Sequence, residues 1–413
     1  MRRTVLHVLS QRPSLTGSGV TLDALGRHAA HRWNQHAVVG VPSGEPIEDL
    51  PGVDPQRVHP LAFGEPPLDF RVPGMSDVMP YQSTVFSKMT TPQLAAYREG
   101  WRRHLGRVLD LARPDVIHAH HIWILGALLK DLAPDIPLVL HCHATGLRQA
   151  TLCPHLAEEV RRGCARADHF AVLHGDHATD LADALGVAPA RIHVVGAGYR
   201  DDLFHARGRG RGRDRSAGTD LVYIGKYSRS KGLPWLLDAL EPLADRHPSV
   251  TLHVAGSGAG PEADALRRRM EGLAPRVVLH GHLPQARLAD LLRRCHVLAL
   301  PSLYEGVPLV LAEALACGCR LVATRLPGVE SQIAPHLGPW LELVDLPRLQ
   351  TVDTPEPEDT QAFVARLVQG LDAALGKPPA SPQDAALAPF TWKAVFARVE
   401  AVWREALGDR SPD

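Results

Sequence analysis

Short apolar segments alternate with longer segments of helical periodicity along almost the whole chain. The apolar segments are four to six residues long and rich in β-branched residues, which is typical of buried strands in parallel sheets. A first series of strands is predicted at residues 5–10, 37–41, 115–120, 137–141, 169–173 and 191–195. A second series is predicted at residues 220–224, 251–255, 276–280, 296–300 and 320–323. Strands that alternate with helices in this way predict two doubly wound α/β units.

Residues 206–219 interrupt this alternation with an arginine- and glycine-rich stretch. After Ala206, its only apolar residue is Ala217, so the segment cannot contribute to a core and is interpreted as an interdomain linker. An RNA-binding Arg/Gly tract is the alternative, which the short length and the lack of aromatic residues disfavour. The predicted domains are therefore residues 1–205 and residues 220–389. A final amphipathic stretch at residues 392–406 could pack on either of them.

The charge balance of the 413-residue chain removes several classes of partner. It contains 45 Lys and Arg residues against 45 Asp and Glu residues, which gives no electrostatic argument for a nucleic acid or a strongly anionic membrane. No segment approaches about 20 consecutive apolar residues, and the apolar run at the start is too short for a signal peptide. We therefore expect a soluble, cytoplasmic protein.

The segment Leu298–Gly318, LALPSLYEGVPLVLAEALACG, is the most informative one for chemistry. A predicted strand is followed by a loop with Glu305, and a helix is expected to begin near Val307 with Pro308 in its first turn. The free amides at the start of such a helix, those of Leu309 and Val310, favour an anion such as a diphosphate.

Two glutamates flank this predicted phosphate site. Glu313 lies five residues beyond Pro308, about 7.5 Å along a helix axis at 1.5 Å per residue, which is comparable to the span of a diphosphate. Because a carboxylate can accept hydrogen bonds from neighbouring hydroxyls, Glu305 and Glu313 could hold the sugar and the ribose at opposite ends of one ligand. The alternative is a capping acid and a solvated helix glutamate.

A pair of lysines follows the first strand of the second series. The chain has only six lysines, yet Lys226 and Lys231 lie five residues apart in one loop. A compact ammonium group suits a point contact to a phosphate oxygen. Two solvated loop cations are the alternative.

Taken together, three motifs resemble the retaining glycosyltransferases of family GT4, which have the GT-B fold. These motifs are the E-x7-E spacing of Glu305 and Glu313, GKYSRSKG at residues 225–232 and HVLALPS at residues 296–302. The resemblance implies an α/β fold with two Rossmann-like doubly wound domains that face each other across a cleft. It also implies an N-terminal acceptor-binding domain, a C-terminal donor-binding domain and a last helix, residues 390–413, that crosses back onto the N-terminal domain.

The resemblance further implies roles for individual residues. The donor-binding set would be Ser18, Gly19, Lys226, Lys231, Leu283, Glu305, Gly306, Val307, Leu309, Val310 and Glu313. His143, Lys231 and Glu305 would be catalytic, with His143 and Glu305 beside the transferred sugar and Lys231 on the diphosphate. Glu313 would bind the ribose, and the backbone of Leu283 the base. The family implies a nucleotide-diphosphate sugar, most often a UDP-sugar, and no metal or other cofactor. The acceptor, whether a small molecule, a saccharide or a lipid-linked molecule, is left open, as is peripheral membrane contact.

A cluster of histidines supports a different interpretation. His118, His120, His121, His141 and His143 lie at two predicted strand ends, and such a pattern can bind zinc in a metal-dependent hydrolase. Hydrolase sites of this kind often lie on a single barrel, whereas this chain has two strand series and a linker. We therefore expect core or solvated histidines, apart from His143. A GT-B sugar-nucleotide epimerase or phosphorylase is the other alternative, since it would use the same donor groove.

Overall fold

The computed structural model describes residues 2–13, 16–46, 49–76, 79, 81–143, 145–207, 219–351 and 354–409. The chain divides into two compact units, one formed by Met1–Ala197 with Trp392–Asp413 and the other by Gly198–Thr391. The division falls before residues 206–219, where the sequence placed the linker, because Tyr199 and Phe204 are buried in the core of the second unit. Residues 208–218 of that predicted linker lie outside the described residues.

The first unit is built on a parallel sheet of seven strands in the order β3-β2-β1-β6-β7-β8-β9. Its strands, together with the short pair β4 and β5, are β1 (Thr4–Leu9), β2 (Asn34–Pro42), β3 (Val58–Phe63), β4 (Pro73–Gly74), β5 (Thr84–Val85), β6 (Val116–His120), β7 (Leu138–Cys142), β8 (His169–Val172) and β9 (Ile192–Val194). Its helices are α1 (Gly17–Ala29), α2 (Thr91–Ala112), α3 (Ile124–Leu132), α4 (Thr145–Leu152), α5 (Pro154–Cys164), α6 (Gly175–Leu185) and α14 (Trp392–Ala406). The strand order reverses between β1 and β6, as in a doubly wound Rossmann-like sheet.

The second unit repeats this architecture with a parallel sheet of six strands in the order β12-β11-β10-β13-β14-β15. Its strands, with the antiparallel pair β16 and β17, are β10 (Asp220–Ile224), β11 (Thr251–Ala255), β12 (Val277–Gly281), β13 (Val297–Leu300), β14 (Arg320–Thr324), β15 (Leu341–Val344), β16 (Leu349–Thr351) and β17 (Thr354–Pro355). Its helices are α7 (Leu233–Arg246), α8 (Pro261–Gly272), α9 (Gln285–Arg294), α10 (Val310–Ala316), α11 (Ala334–Leu337), α12 (Pro357–Leu375) and α13 (Asp384–Leu387). Here the order reverses between β10 and β13.

Each sheet is buried on both faces, which explains why its strands read as continuous apolar runs. In β1, Leu6 and Val8 belong to one apolar core, whereas Val5 belongs to a second core on the opposite face. In β10, Val222 and Leu221 are divided between two cores in the same way. The α/β fold class expected from the sequence is therefore confirmed.

The sequence pattern did not identify the edge strands β3 and β15. Pro60 lies in the middle of β3, where the missing amide is tolerated because this strand is at the edge of its sheet. The strand β15 is only four residues long and includes Glu342, so its apolar signal is weak. Each of these strands forms because it pairs with the neighbouring strand of its sheet, and the local sequence pattern alone does not predict it.

The last helix, α14, is part of the first unit. Its apolar residues Val395, Val399 and Trp403 are buried in a core that α1 and the central strands share. Its buried Glu400 carboxylate accepts a hydrogen bond from Trp33 Nε1 at 3.0 Å. None of the helices in the described residues combines the length and the apolar composition that crossing a membrane requires.

Candidate active site

In the second unit, the loops that follow β10 and β13 meet where the strand order reverses. This position, beyond the carboxyl ends of the strands, is where open α/β sheets bind ligands. The Leu303 amide donates to the Ser230 carbonyl at 2.9 Å and ties the two loops together. The Lys231 Nζ and Glu305 Oε1 atoms form an ion pair at 2.7 Å between them. The structure thus brings a predicted phosphate-binding lysine and a predicted sugar-binding glutamate together.

Gly232 fixes the position of Lys231 because its backbone is left-handed and closely packed. Its φ is +71°, and a Cβ atom added there would lie 1.9 Å from the Pro301 carbonyl oxygen. Only glycine allows this approach without a backbone shift. The loop after β10 is therefore pressed against the end of β13, and Lys231 is held beside Glu305.

Glu305 is held from a second side by Ser302, whose hydroxyl donates to Oε1 at 2.8 Å. The Ser302 carbonyl in turn accepts a hydrogen bond from the buried Thr324 hydroxyl. The Lys231 and Glu305 side chains are 25% and 18% exposed, so the pair is partly screened but still reachable by a ligand. Sequence reasoning missed Ser302 and Thr324; the serine three residues before Glu305 was the available signal for the first.

Lys226 is exposed at the start of the same loop. Its carbonyl accepts a hydrogen bond from the buried Tyr223 hydroxyl at 2.6 Å, which anchors the backbone from which the side chain extends. Lys226 does not form an ion pair with Glu305, and the Lys226 side chain is exposed to solvent. Tyr223 was read from the sequence only as a strand residue of the core.

The helix that carries Glu313 begins later than the sequence predicted. The expected start near Val307 is wrong, since α10 runs from Val310 to Ala316 and Pro308 precedes it. The Leu311 amide donates to the Pro308 carbonyl at 3.0 Å, so one turn forms ahead of the regular helix. The amides of Leu309 and Val310 therefore still lie at the helix start, where amides lack intrahelical partners.

Glu313 is a half-buried residue of α10, and burial raises the pKa of its carboxyl group to about 7. The three partly buried residues Leu283, Val307 and Val310 pack against one apolar core of this unit. A Cβ atom added to Gly328 would lie 2.2 Å from the Gly306 carbonyl oxygen. A glycine at position 328 therefore makes room for the loop that carries Glu305. Leu283, Val307 and Val310 thus share one apolar support.

In the first unit, the predicted donor-binding residues Ser18 and Gly19 lie in the first turn of α1. The reason is local: Thr16 caps the helix, and its hydroxyl accepts from the Gly19 amide at 3.2 Å. The buried Ser18 Oγ atom is 2.8 Å from Gln11 Nε2 and 3.0 Å from His121 Nε2. Ser18 therefore belongs to a polar network at the carboxyl end of β1 and β6, and Gln11 was not anticipated.

His143 directly follows β7, at the same end of this sheet. Its Nε2 atom is 3.1 Å from His120 Nδ1, and its ring stacks on His141 with a centroid separation of 4.3 Å. Burial and the neighbouring histidines hold the pKa of His143 well below its usual range, so the ring is neutral at neutral pH. A neutral imidazole can donate from one nitrogen and accept at the other.

The other histidines of the cluster are core residues. Trp403 Nε1 donates to His118 Nδ1 at 2.8 Å, and His118 Nε2 is 3.3 Å from His141 Nδ1. His118, His120 and His141 have potential ligand nitrogens within 4.8 Å of one another. However, they are at most 2% exposed, whereas hydrolytic zinc needs an open position that water can reach. The cluster therefore does not fit the hydrolase interpretation.

Comparisons with known proteins agree with this architecture. Residues 16–198 match the model of the glycosyl transferase 4-like domain, and residues 218–370 match that of the glycosyl transferases group 1. The chain is 26% identical to glycogen synthase of Mycobacterium tuberculosis over 416 residues, 95% of this chain and 94% of the relative. It is 27% identical to D-inositol 3-phosphate glycosyltransferase of Corynebacterium glutamicum over 435 residues, 99% and 93% of the two chains.

Among solved structures, the fold resembles HepE of Anabaena in complex with UDP. The TM-score is 0.60 at 18% identity, covering 98% of this chain and 100% of that chain. At this identity the likeness concerns the fold. Together, the two domain matches, the two relatives and the pair of Rossmann-like sheets identify the chain as a glycosyltransferase of family GT4 with the GT-B fold.

Proposed function

We propose that the enzyme transfers a sugar from a UDP-sugar to a hydroxyl group of an acceptor, with retention of anomeric configuration. The observation that carries this proposal is the Lys231–Glu305 pair at the strand reversal of the second unit, with exposed Lys226 in the same loop. An ammonium group and a carboxylate in one place match the two parts of a sugar diphosphate. The ammonium group suits the anionic diphosphate, and the carboxylate suits the hydroxyl-rich sugar.

In this proposal, the lysines bind the diphosphate and stabilise the charge that develops on it. The sugar–phosphate bond loosens first, the sugar takes on oxocarbenium character, and the electron pair of the broken bond stays on the leaving UDP. Lys231 is held in place before the donor arrives, so little reorganisation is required in the transition state. The leaving phosphate oxygen accepts the acceptor proton as the new glycosidic bond forms on the same face, and no protein nucleophile is needed.

Glu305 holds the sugar in the proposed mechanism. Both Ser302 Oγ and Lys231 Nζ contact its Oε1 atom, and we assign Oε2 to the sugar hydroxyls. The amides of Gly306 and Val307 are placed by the same loop and would contribute further donors. A sugar held in this way, with its anomeric carbon still bonded to the diphosphate, is positioned for transfer to the acceptor hydroxyl.

Glu313 and Leu283 serve the nucleoside in this proposal. An ionised Glu313 accepts hydrogen bonds from the two ribose hydroxyls, and the backbone of Leu283 contacts the base. The UDP found in HepE supports uridine as the nucleoside. In the first unit, the proposal places Ser18 and Gly19 on the phosphate side and the neutral His143 imidazole beside the transferred sugar.

The acceptor is expected to carry hydroxyl groups, since the named relatives are a glycogen synthase and a D-inositol 3-phosphate glycosyltransferase. We propose that the first unit binds it, as the family resemblance implies. The cytoplasmic location expected from the sequence remains a prediction. Family membership favours transfer over the epimerase and phosphorylase alternatives, and the buried histidine cluster does not suit a hydrolase.

A thermal-shift panel of nucleotide sugars tests the donor. A UDP-sugar that binds the folded state raises the melting temperature by mass action, whereas GDP- and ADP-sugars are expected to produce a smaller shift. A Lys226→Ala/Lys231→Ala double variant should lose most of the shift with every nucleotide sugar, because the diphosphate is common to all of them. The product of transfer by the wild-type enzyme is then examined by NMR for its anomeric configuration. An inverted product, or stabilisation by another nucleotide sugar alone, would contradict the proposal.

A further inference from the structure

Three side chains with metal-binding atoms converge in the first unit, away from the proposed donor residues. His169 Nδ1 is 2.9 Å from His193 Nε2 and 4.0 Å from Glu405 Oε1. A ligand atom from each of the three lies within 4.8 Å of the other two. In a tetrahedral zinc site, ligand atoms about 2.1 Å from the metal are about 3.4 Å apart. Small side-chain rotations therefore suffice to place all three around one ion.

The fold itself brings these residues to one face. In the parallel pairing of β8 and β9, Ala171 lies opposite His193, and His169 is on the same face as Ala171 because it is two residues earlier. Helix α14 covers this face, since Ala171 and Val402 belong to one apolar core. Glu405 follows Val402 by three residues and therefore points to the same side of the helix. Two strands and the last helix each contribute one ligand.

The local electrostatics favours a cation. Glu405 is the penultimate residue of α14, where the partial negative charge of the helix C-terminus disfavours a carboxylate. The neighbouring Arg404 does not compensate, because it pairs with Glu400 at 3.0 Å. In the part of the chain that the structure describes, Glu405 forms ion-pair contacts only with His169 and His193.

Other histidine pairs in the chain show what is specific about this one. His36 and His59, on β2 and β3, also have ring nitrogens 2.9 Å apart, and so do His253 and His280 on β11 and β12. Within the described part of the chain, the His36 and His59 pair gains no third converging ligand. His253 contacts the Asp220 carboxylate at 3.8 Å through Nε2, whereas its Nδ1 atom faces His280, so these three residues do not converge on one point. Among the described residues, the groups of three are His118, His120 and His141, and His169, His193 and Glu405. Only the second group includes a carboxylate and is partly exposed, and both features suit a divalent cation that enters from solvent.

We propose that His169, His193 and Glu405 form a structural site for a zinc-class divalent cation that ties α14 to β8 and to the edge strand β9. Three protein ligands leave the fourth position to water. His169 is the first residue of β8, whereas His143 follows the carboxyl end of the neighbouring β7. The site therefore stabilises the C-terminal helix and takes no part in sugar transfer.

Zinc binding by the untagged, full-length protein, first freed of metal, tests this proposal. Titration of Zn²⁺ against a competing chelator should reveal one tight site in the wild type. His193→Ala and Glu405→Gln should each weaken that site by more than about tenfold, since even the loss of an outer-shell partner costs 10- to 100-fold. His59→Ala is the matched control because it removes one ring from a pair without a carboxylate, and it should leave zinc affinity unchanged.

Two further measurements separate this site from binding elsewhere. Co²⁺ in the wild type should give visible d–d absorption typical of a tetrahedral site, and Glu405→Gln should lose it. Zn²⁺ should also slow hydrogen exchange in the last turns of α14 in the wild type but not in Glu405→Gln. Circular dichroism in the presence of chelator checks that each variant is folded.

Each outcome bears on the proposal. The proposal is supported if the wild type binds one zinc ion that both His193→Ala and Glu405→Gln lose. It is also supported if the wild type binds two zinc ions and each variant loses one of them. Zinc affinity that is insensitive to both substitutions would assign the metal to another group, such as the buried histidine cluster, and would overturn the proposal. Zinc binding with no change in α14 exchange would overturn the structural role.

Discussion

Replacing Lys231 by alanine removes the ammonium group that the structure holds ready for the diphosphate. Lys231 Nζ is 2.7 Å from Glu305 Oε1 and donates to the Tyr304 carbonyl at 3.4 Å. Without it, the Glu305 carboxylate keeps the Ser302 hydroxyl but loses its counter-charge. The substitution therefore removes stabilisation of the leaving group and loosens the side chain proposed to hold the sugar.

The magnitude follows from the position of the charge. An ammonium group about 4 Å from a phosphate charge, near a protein surface with an effective dielectric of about 20, interacts by about 4 kcal/mol. Desolvation of the ammonium group reduces this interaction energy, and so does screening by solvent, because the Lys231 side chain is 25% exposed. Loss of one preorganised donor costs about 100- to 1,000-fold in kcat in well-studied sites, or about 2.7 to 4 kcal/mol. We expect Lys231→Ala to lower kcat by at least about a hundredfold, with a smaller change in KM.

The assay is UDP release from the UDP-sugar identified by thermal shift, with the best acceptor from a screen and also without acceptor. Lys231→Arg retains the charge and should recover part of the loss, since a guanidinium group has a different shape. Lys393→Ala removes one positive charge from an exposed position of α14 and serves as the matched control. Melting curves of each variant separate a folding defect from a chemical one.

A near wild-type kcat for Lys231→Ala with a competent acceptor would refute the reasoning. So would a loss that Lys393→Ala reproduces, because the effect would then report net charge rather than position. A large increase in KM with unchanged kcat would assign Lys231 to ground-state binding instead of leaving-group stabilisation.

Four further predictions follow from other contacts. Burial raises the pKa of Glu313 to about 7 and the ionised form accepts the ribose hydroxyls, so UDP-glucose affinity in calorimetry should fall up to tenfold per pH unit below that value. Glu313→Gln should flatten this profile, and a flat wild-type profile would contradict the role. Gly232→Ala should destabilise the second unit in thermal melts and weaken donor binding, because the new Cβ meets the Pro301 carbonyl; unchanged affinity would argue against loop locking. Glu400→Ala should cost about 1–3 kcal/mol in urea unfolding, since it leaves the Trp33 indole N–H unpaired, and a neutral effect would contradict the anchoring of α14. Chelator should leave transfer active in Glu405→Gln, which lacks the proposed metal site at α14, because lysines replace a metal at the diphosphate; activity abolished by chelator in this variant would refute that assignment.

Much of the fold could be predicted because the signals are local. The strand runs of both sheets are apolar on both faces, and Glu305, Lys226 and Lys231 immediately follow predicted strands. Parallel strands bring their carboxyl ends to one edge, so neighbouring loops meet there even when they are 70 residues apart in the chain, as the contact between Lys231 and Tyr304 illustrates. The motif residues were therefore identifiable without coordinates.

The supporting contacts could not be predicted because they join residues that look ordinary in the sequence. Tyr223 reads as an apolar strand residue, yet its hydroxyl fixes the Lys226 backbone. The contact of His169 with Glu405 depends on α14 returning to the first sheet after the whole second unit, Gly198–Thr391, and no spacing encodes it. The start of α10 was misjudged since a proline suits the first turn of a helix as well as the turn before it.

The close contact of Gly232 with Pro301 has a consequence for engineering. Since the two loops share a backbone hydrogen bond, a glycine contact and an ion pair, they form a single exchangeable cassette. A chimera that imports the segment around Glu305 from a relative should fail when Gly232 and its flanking residues are left behind. Swapping both segments together should preserve donor use, and in this family substrate preference would then be inherited in blocks rather than residue by residue.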